Sequence, residues 1–217
     1  MLMKKRVIWY LAGIVVMSLG LSLNVKSHLG VAPILTVPRV LSGLLQWEFS
    51  NMLFLFYAGF IVLQFVLLPK KFKLFDLIQF PVGFGITRLV AAFTNLIPTS
   101  EESPIAVKLI VLALAIIVTG VGVAISVDMK IAPNPADGLA AAVGERFGLG
   151  LGMGKNIVDI TSVIIALVIS LICNHSLGPV GIGTVAAGLL VGRVIAFFNS
   201  RFRKYLPETE EAAGVKK

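Results

Sequence analysis

The chain has 217 residues, of which 57% are hydrophobic and only 14% are charged, and its formal net charge is +8. Its mean hydropathy of +0.95 is far above that of a soluble domain. This composition excludes an ordinary water-soluble protein and predicts a polytopic membrane protein embedded in a lipid bilayer. The single cysteine, Cys173, excludes an internal disulfide and a cysteine-rich metal site.

Six apolar segments are long enough to cross a bilayer, which takes about 20 residues. The first segment is too long for a secretory signal peptide and lacks a small-residue cleavage site, so we interpret it as a retained helix. The sequence therefore predicts one all-α membrane domain over residues 1–217. The predicted spans are residues 7–25, 52–68, 77–97, 107–127, 157–173 and 180–198.

A break follows the first span, where "LGVAP" leads into "APILTVPRVLSGLLQWEF". Proline disfavours helix for the residue before it and suits the first turn of a new helix, so Pro33 predicts a short extra helix. Two interpretations stay open: the segment re-enters the membrane, or it lies on the surface with Trp47 as an interfacial anchor. A re-entrant helix would point its partly positive start inward, where it could hold an anion.

The third and sixth spans carry arginines, Arg88 and Arg193, well inside apolar sequence. A charge at such a depth costs roughly 2.5 to 3.5 kcal/mol on insertion, so something must compensate for it. Our hypothesis is that both guanidinium groups face a shared cavity and bind an anion. The alternatives are snorkelling of Arg193 to the membrane surface and structural pairing of either arginine with Asp137, Glu145 or Asp159.

A second break, "MKIAP", follows the fourth span and leads into "APNPADGLAAAVGERFGLGLGMG". It predicts a second short helix starting near Pro135, for which the same two interpretations, re-entrant or on the membrane surface, stay open. The fifth span then begins with "KNIVDI", in which Asp159 shares a helical face with Lys155. Asp159 could cap this span and pair with Lys155, or it could take part in proton coupling. The predicted substrate-binding residues are Arg88, Arg193, Pro33, Pro133, Asp137, Asn156 and Asp159.

The two halves of the chain resemble each other. At an offset of one hundred Pro33 falls on Pro133, and at one hundred and five Asn51 falls on Asn156 and Arg88 on Arg193. Because each half, residues 7–97 and 107–200, holds three spans, the second half must cross the membrane in the opposite sense. The sequence therefore predicts two inverted-topology three-helix repeats. Residues 201–217 are polar and of mixed charge, which predicts a disordered cytoplasmic tail.

Most of the nineteen lysines and arginines fall in segments that would share one side of the membrane with both termini. The segments on the other side hold only Lys26, Arg39 and Lys108. Basic loops stay cytoplasmic, so both termini are predicted to be cytoplasmic. Topology thus explains the net positive charge, and no nucleic-acid partner is implied.

Several motifs together resemble the YczE/YyaS and YitT-like bacterial integral membrane proteins. They are "LGVAP", "IAPNPADGL", "KNIVDI" and "GPVGIGTVAAGLLVGRVIAFF", and the resemblance covers about residues 7–200. The first half departs from the "GIGT" pattern with "FPVGFGIT". The resemblance implies a bacterial plasma-membrane protein of undefined biochemical role and supplies no site residues.

The sequence favours a small-solute transporter or permease, with a site near the membrane midplane between the two halves. A small channel, which a dimer of such repeats could form, and a non-transporting accessory or regulatory protein are the alternatives. No set of acid, base and nucleophile emerges from the motifs, so an enzyme is not expected. No cofactor or metal is expected either.

We expect tags at both termini to be accessible only from the cytoplasm, and a tag in residues 99–104 only from outside. The physical reason is the retention of basic segments on the cytoplasmic side. Protease protection in intact cells and in inverted vesicles measures this. Cleavage of either terminal tag in intact cells would contradict the inverted-repeat interpretation.

Overall fold

The computed structural model describes residues 2–99, 101–174, 177–203 and 206–207, and these residues form helices and loops without a strand. Within these residues, two short helices accompany six that are long and apolar enough to cross a membrane. The prediction of an all-α, six-span membrane protein is confirmed. The long helices are α1 (Leu2–Lys26), α3 (Phe49–Leu67), α4 (Gln79–Leu96), α5 (Ile105–Asp128), α7 (Gly150–Asn174) and α8 (Ile182–Phe202); the short ones are α2 (Thr36–Leu44), which follows a 3-10 turn at Pro33–Leu35, and α6 (Pro135–Arg146).

Two predicted boundaries need correction. Helix α7 begins at Gly150, seven residues before the predicted span, because Gly154 packs closely against the backbone of Ala140 and Gly144 in α6. This tertiary contact outweighs the low helix propensity of the glycines. Helix α8 extends beyond the predicted start of the tail at residue 201, and Leu206 is buried against the core. The rest of the predicted tail lies outside the described residues.

Helices α1 and α5 form the centre of the bundle and run antiparallel. Residues farther along α1 contact residues nearer the start of α5, and glycines at these contacts let the two backbones touch. A methyl group at Gly122 would lie 2.6 Å from Met17 Cα and 2.8 Å from Gly13 O. The facing residues are Gly13 with Ser126, Met17 with Gly122, and Gly20 with Thr119.

One face of the bundle, here called the terminal face, is where α1 begins and where α5 and α8 end. Arg6 Nη2 donates to Met129 O over 2.6 Å, which joins the start of α1 to the end of α5. Arg203 Nε lies 3.8 Å from Asp128 Oδ2, which brings the end of α8 to the same place. The opposite face holds the end of α1, where Thr99 donates to the carbonyl of Lys26 over 2.7 Å.

The remaining long helices surround this central pair. Helix α4 runs parallel to α1, and Ser22 Oγ donates to Val90 O over 3.1 Å near the opposite face. Helix α8 runs parallel to α5 on the other side, with Gly120 packed against Val194. Helix α3 packs against α4, where the rings of Phe54 and Phe84 meet edge to face at 5.4 Å.

Helix α6 begins inside the bundle. Its N-cap, Asn134, lies beside Met17, with 3.8 Å between Asn134 Nδ2 and Met17 Sδ. Helix α1 rises about 16 Å between Arg6, at the terminal face, and Met17. The start of α6 therefore lies at about half the depth of a hydrocarbon core about 30 Å thick. The helix then returns to the terminal face, where Glu145 pairs with Lys71. This is the course of a re-entrant helix.

Helix α2 follows the equivalent course from the opposite face. The buried Thr36 Oγ1 at its start donates to Ser162 O over 3.2 Å, and Ser162 lies halfway along α7. The chain leading to it is held by a bond from Val31 N to Pro179 O of 3.0 Å. Of the two interpretations left open by the sequence, the structure favours re-entrant helices over helices on the membrane surface.

We expect Gly122→Ala to lower the free energy of unfolding by about 1–3 kcal/mol, because the added methyl group must push α1 away from α5. Gly59→Ala in α3 is the matched control, since no described atom lies within 4 Å of a methyl group there. Thermal melting in detergent measures both. Equal melting temperatures for the two variants would contradict the close α1–α5 contact.

Candidate functional site

The inner start of α6 has a complete N-terminal cap. Asn134 Oδ1 accepts from the backbone N–H groups of Ala136 and Asp137, over 3.0 and 3.1 Å. Pro135 occupies the first helical position, where its missing N–H leaves no unsatisfied donor. Asn134 Nδ2 also donates to the carboxylate of Asp137. The cap therefore fixes the Asp137 side chain beside the positive end of the helix.

Three charged side chains meet at this point, and we call Asp137, Lys155 and Asp159 the charged cluster. Lys155 Nζ lies 3.8 Å from Asp137 Oδ1 and 3.5 Å from Asp159 Oδ2. The side chains of Lys155, Asp137 and Asp159 are 39%, 20% and 15% exposed, so the lysine is the most accessible member of the cluster. Two carboxylates and one ammonium give the cluster a formal charge of −1. Among the described residues no three metal-ligating side chains converge.

A buried pair of amides supports the same helix start. Gln64 Nε2 donates to Gln79 Oε1 over 3.1 Å, and Gln79 Nε2 donates back to Gln64 Oε1 over 3.0 Å. Gln64 Nε2 also donates to Pro135 O over 3.2 Å. Gly138 leaves room for this pair, since a methyl group there would lie 2.7 Å from both amide oxygens. The pair ties α3 and α4 to α6 without using a charge.

The inner start of α2 is uncharged by comparison. Asn24 Oδ1 accepts from the backbone N–H of Ala32. Pro33, predicted as a site residue, is buried and packs against Gly188 of α8. Pro133, its predicted counterpart, is exposed and precedes α6, whose first residue is Pro135. The charged cluster therefore has no counterpart at the start of α2 among the described residues.

The two arginines lie apart from the cluster and from each other. Arg88 Nη2 donates to Asn51 Oδ1 in the first turn of α3, and Arg88 Nη1 lies 3.9 Å from Glu48 Oε2. The guanidinium also stacks over Phe84, 5.1 Å from the ring centroid. Arg88 is therefore paired near the opposite face, although with none of the three acidic partners considered from the sequence.

Arg193 is exposed near the middle of α8. It lines an apolar groove of about 520 Å³ between α5 and α8, with leucine and isoleucine side chains around it. Among the described residues, its Nη1 donates to Leu189 O of the same helix, over 3.4 Å. Asn156 is exposed on α7. Of the predicted site residues, the structure thus brings together Asp137 and Asp159 and separates them from Arg88, Arg193 and Asn156.

The sequence named Lys155 as a partner of Asp159, and the structure shows that pair. Sequence reasoning did not single out three other residues that build this site: the amide pair Gln64 and Gln79, and the cap Asn134. Polar side chains inside apolar spans usually have a partner, which would have flagged both glutamines. Asparagine followed by proline is a strong helix start, which would have identified Asn134 as the cap of α6.

In the described part of the chain, six helices long and apolar enough to cross a membrane, together with two short helices that start inside the bundle, define a multi-pass integral membrane protein. The chain belongs to a family of unknown function, DUF6198, whose family model matches residues 4–200. Comparisons with curated proteins and with solved structures give no match. The resemblance to the YczE/YyaS and YitT-like proteins stays a prediction.

We expect Lys155→Met to destabilise the protein by about 1–2 kcal/mol, because it leaves two carboxylates unpaired inside the bundle. The partial exposure of Lys155 keeps the effect below that of a fully buried pair. Adding Asp159→Asn should restore most of the loss. Lys71→Met is the control, since its pair with Glu145 is exposed. A melting temperature unchanged by Lys155→Met would show that the cluster does not stabilise the fold.

Proposed function

We propose that the protein is a secondary transporter for a small polar solute and that the charged cluster is its binding site. The observation that carries the proposal is a half-length helix that starts inside the bundle beside two carboxylates and an ammonium. Charged side chains at membrane depth are costly and typically line solute or ion pathways. Interrupted helices with inward-pointing ends form the binding sites of many secondary transporters.

We further propose that the two halves are an inverted repeat. The antiparallel contact of α1 with α5 supports this, because these helices are equivalent in the two halves. The packing of α4 on α1 corresponds to that of α8 on α5, and the packing of α6 on α3 to that of α2 on α7. Methyl groups at Gly83 and Gly188 would each lie 3.2 Å from a proline Cγ of the other half, Pro135 or Pro33.

The charge of the cluster favours a cationic group as its ligand, either on the solute or as a coupling ion. Its formal charge is −1, and Lys155 already faces two carboxylates. Two convergent arginines would have favoured an anion, but Arg88 and Arg193 lie on different helices without a shared cavity among the described residues. Contact between the backbones of α1 and α5 at the centre favours a transporter over a channel through one chain. We place the terminal face in the cytoplasm.

The experiment is a thermal-shift screen of the purified protein against amines, amino acids and organic acids, followed by uptake into proteoliposomes. We expect saturable uptake of at least one stabilising compound that carries a positive charge. Asp159→Asn should weaken its binding about tenfold or more, because it removes a charge-assisted contact. Glu145→Gln, a carboxylate change on the exposed end of α6, should leave binding unchanged.

Three results would overturn the proposal. Equal affinity in Asp159→Asn and in the unmodified protein would remove the cluster from the site. Flux that does not saturate would favour the channel. Absence of any stabilising compound, together with a stable partner protein recovered by cross-linking, would favour the accessory role.

A further inference from the structure

The two halves differ in one contact. Helices α3 and α4 pack against each other along their length, with Tyr57 on Gly83 and Phe54 on Phe84. Their counterparts α7 and α8 make no comparable contact in the described part of the chain. The gap between α7 and α8 is therefore the place where the structure departs from the symmetry proposed above.

The same gap separates two polar residues whose counterparts are bonded. Arg88 donates to Asn51 across the α3–α4 contact. The sequence offset of one hundred and five carries Asn51 onto Asn156 of α7 and Arg88 onto Arg193 of α8. Gly83 and Gly188, which lie five residues before the arginines, both pack against a proline of the other half. Helix α8 thus has, at equivalent positions, the glycine and the arginine through which α4 contacts α3.

Neither residue has a suitable partner among the residues that the structure describes. The guanidinium of Arg193 lies near the middle of a spanning helix, in an apolar groove, with one long bond to its own helix. Asn156 is exposed and makes no side-chain hydrogen bond among the described residues. A charge in that position costs free energy that a hydrogen-bond acceptor on the neighbouring helix would recover. The amide oxygen of Asn156 is such an acceptor.

We propose that α7 and α8 close in a second conformation, in which Arg193 bonds to Asn156 and the bond between Arg88 and Asn51 opens. The inference rests on the proposed transport function and deepens it. It names as the two gates of the transporter the contact of α3 with α4 and the contact of α7 with α8, which would open in turn. Asn51 lies near the opposite face, whereas Asn156 lies in the second turn of α7, near the terminal face. The structure is thus the state closed at the opposite face and open at the terminal face.

The charged cluster lies on the same helix as one of these two residues, since Lys155 precedes Asn156 in α7. In the proposed second conformation, closing α7 on α8 would cover the cluster from the terminal face, while opening α3 from α4 would expose it from the opposite face.

Cysteine cross-linking tests the proposal in full-length protein in native membranes, after Cys173→Ser removes the only cysteine. One variant carries Asn156→Cys with Arg193→Cys. The matched control carries Asn156→Cys with Ile195→Cys, at nearly the same height but about 200° around α8. A short bifunctional thiol reagent should link the first pair within one chain at least about tenfold faster than the control pair.

A second measurement asks whether the two gates oppose each other. Adding Arg88→Gln to the 156–193 cysteine pair removes the bond that holds the present state. The rate of cross-linking should then rise about tenfold, the equilibrium change expected for one charge-assisted hydrogen bond. Asn51→Ala removes the same bond from the other side and should act alike.

The proposed closing of α7 on α8 is contradicted if the 156–193 pair links no faster than the control pair or if the product joins two chains. The proposed coupling to the α3–α4 contact is contradicted if neither Arg88→Gln nor Asn51→Ala raises the rate. Cross-linking needs no solute, so its result is separate from that of the uptake assay. Saturable uptake without the 156–193 link would contradict the proposed gate and support the proposed transport function. The link without uptake of any compound would support the two conformations and contradict the transport function.

Discussion

The structure depends on one constraint: backbone polar groups inside a membrane must find partners within the protein. Each short helix begins in the bundle, and each beginning frees amide groups that hydrocarbon cannot satisfy. The side chain of Asn24 accepts from such an amide before α2, and that of Asn134 accepts from two of them at the start of α6. The side chain of Gln64 donates to the carbonyl of Pro135. These amide side chains allow a chain of this composition to keep non-helical backbone at depth.

The close pairing of α1 and α5 gives these helix starts a fixed position. With glycines at their crossing, the two backbones meet in the centre, and Met17 of α1 lies beside the cap of α6. The two halves then diverge in their polar chemistry. The α6 start carries Asp137 with Lys155, whereas the α2 start is closed by neutral groups. Similar helix packing in the two halves thus accompanies different polar chemistry at the two short-helix starts.

Composition and periodicity were sufficient to predict six spans, two short helices and the breaks at their starts, because bilayer thickness and proline geometry act locally. They were insufficient for α7, whose first glycines become helical only against α6. The proximity of Asp137 to Asp159 through Lys155 depends on how far α6 enters the bundle, which no local pattern contains. The two arginines were equivalent in sequence, but their partners differ because α4 packs on α3 while α8 stands away from α7.

The "GIGT" sequence before α8 has a consequence for biosynthesis. Gly183 N donates to Leu29 O over 2.7 Å, and methyl groups at Gly181 and Gly183 would lie 3.1 Å from the Leu29 carbonyl carbon. Backbone contact therefore fixes the start of α8 on a loop that is synthesised about 150 residues earlier. Such a long sequence separation slows folding, since the intervening chain must first be in place. Helix α8 can thus reach its position only after the loop that contains Leu29 has taken up its own, and this part of the bundle stays open in the bilayer until α8 has been synthesised.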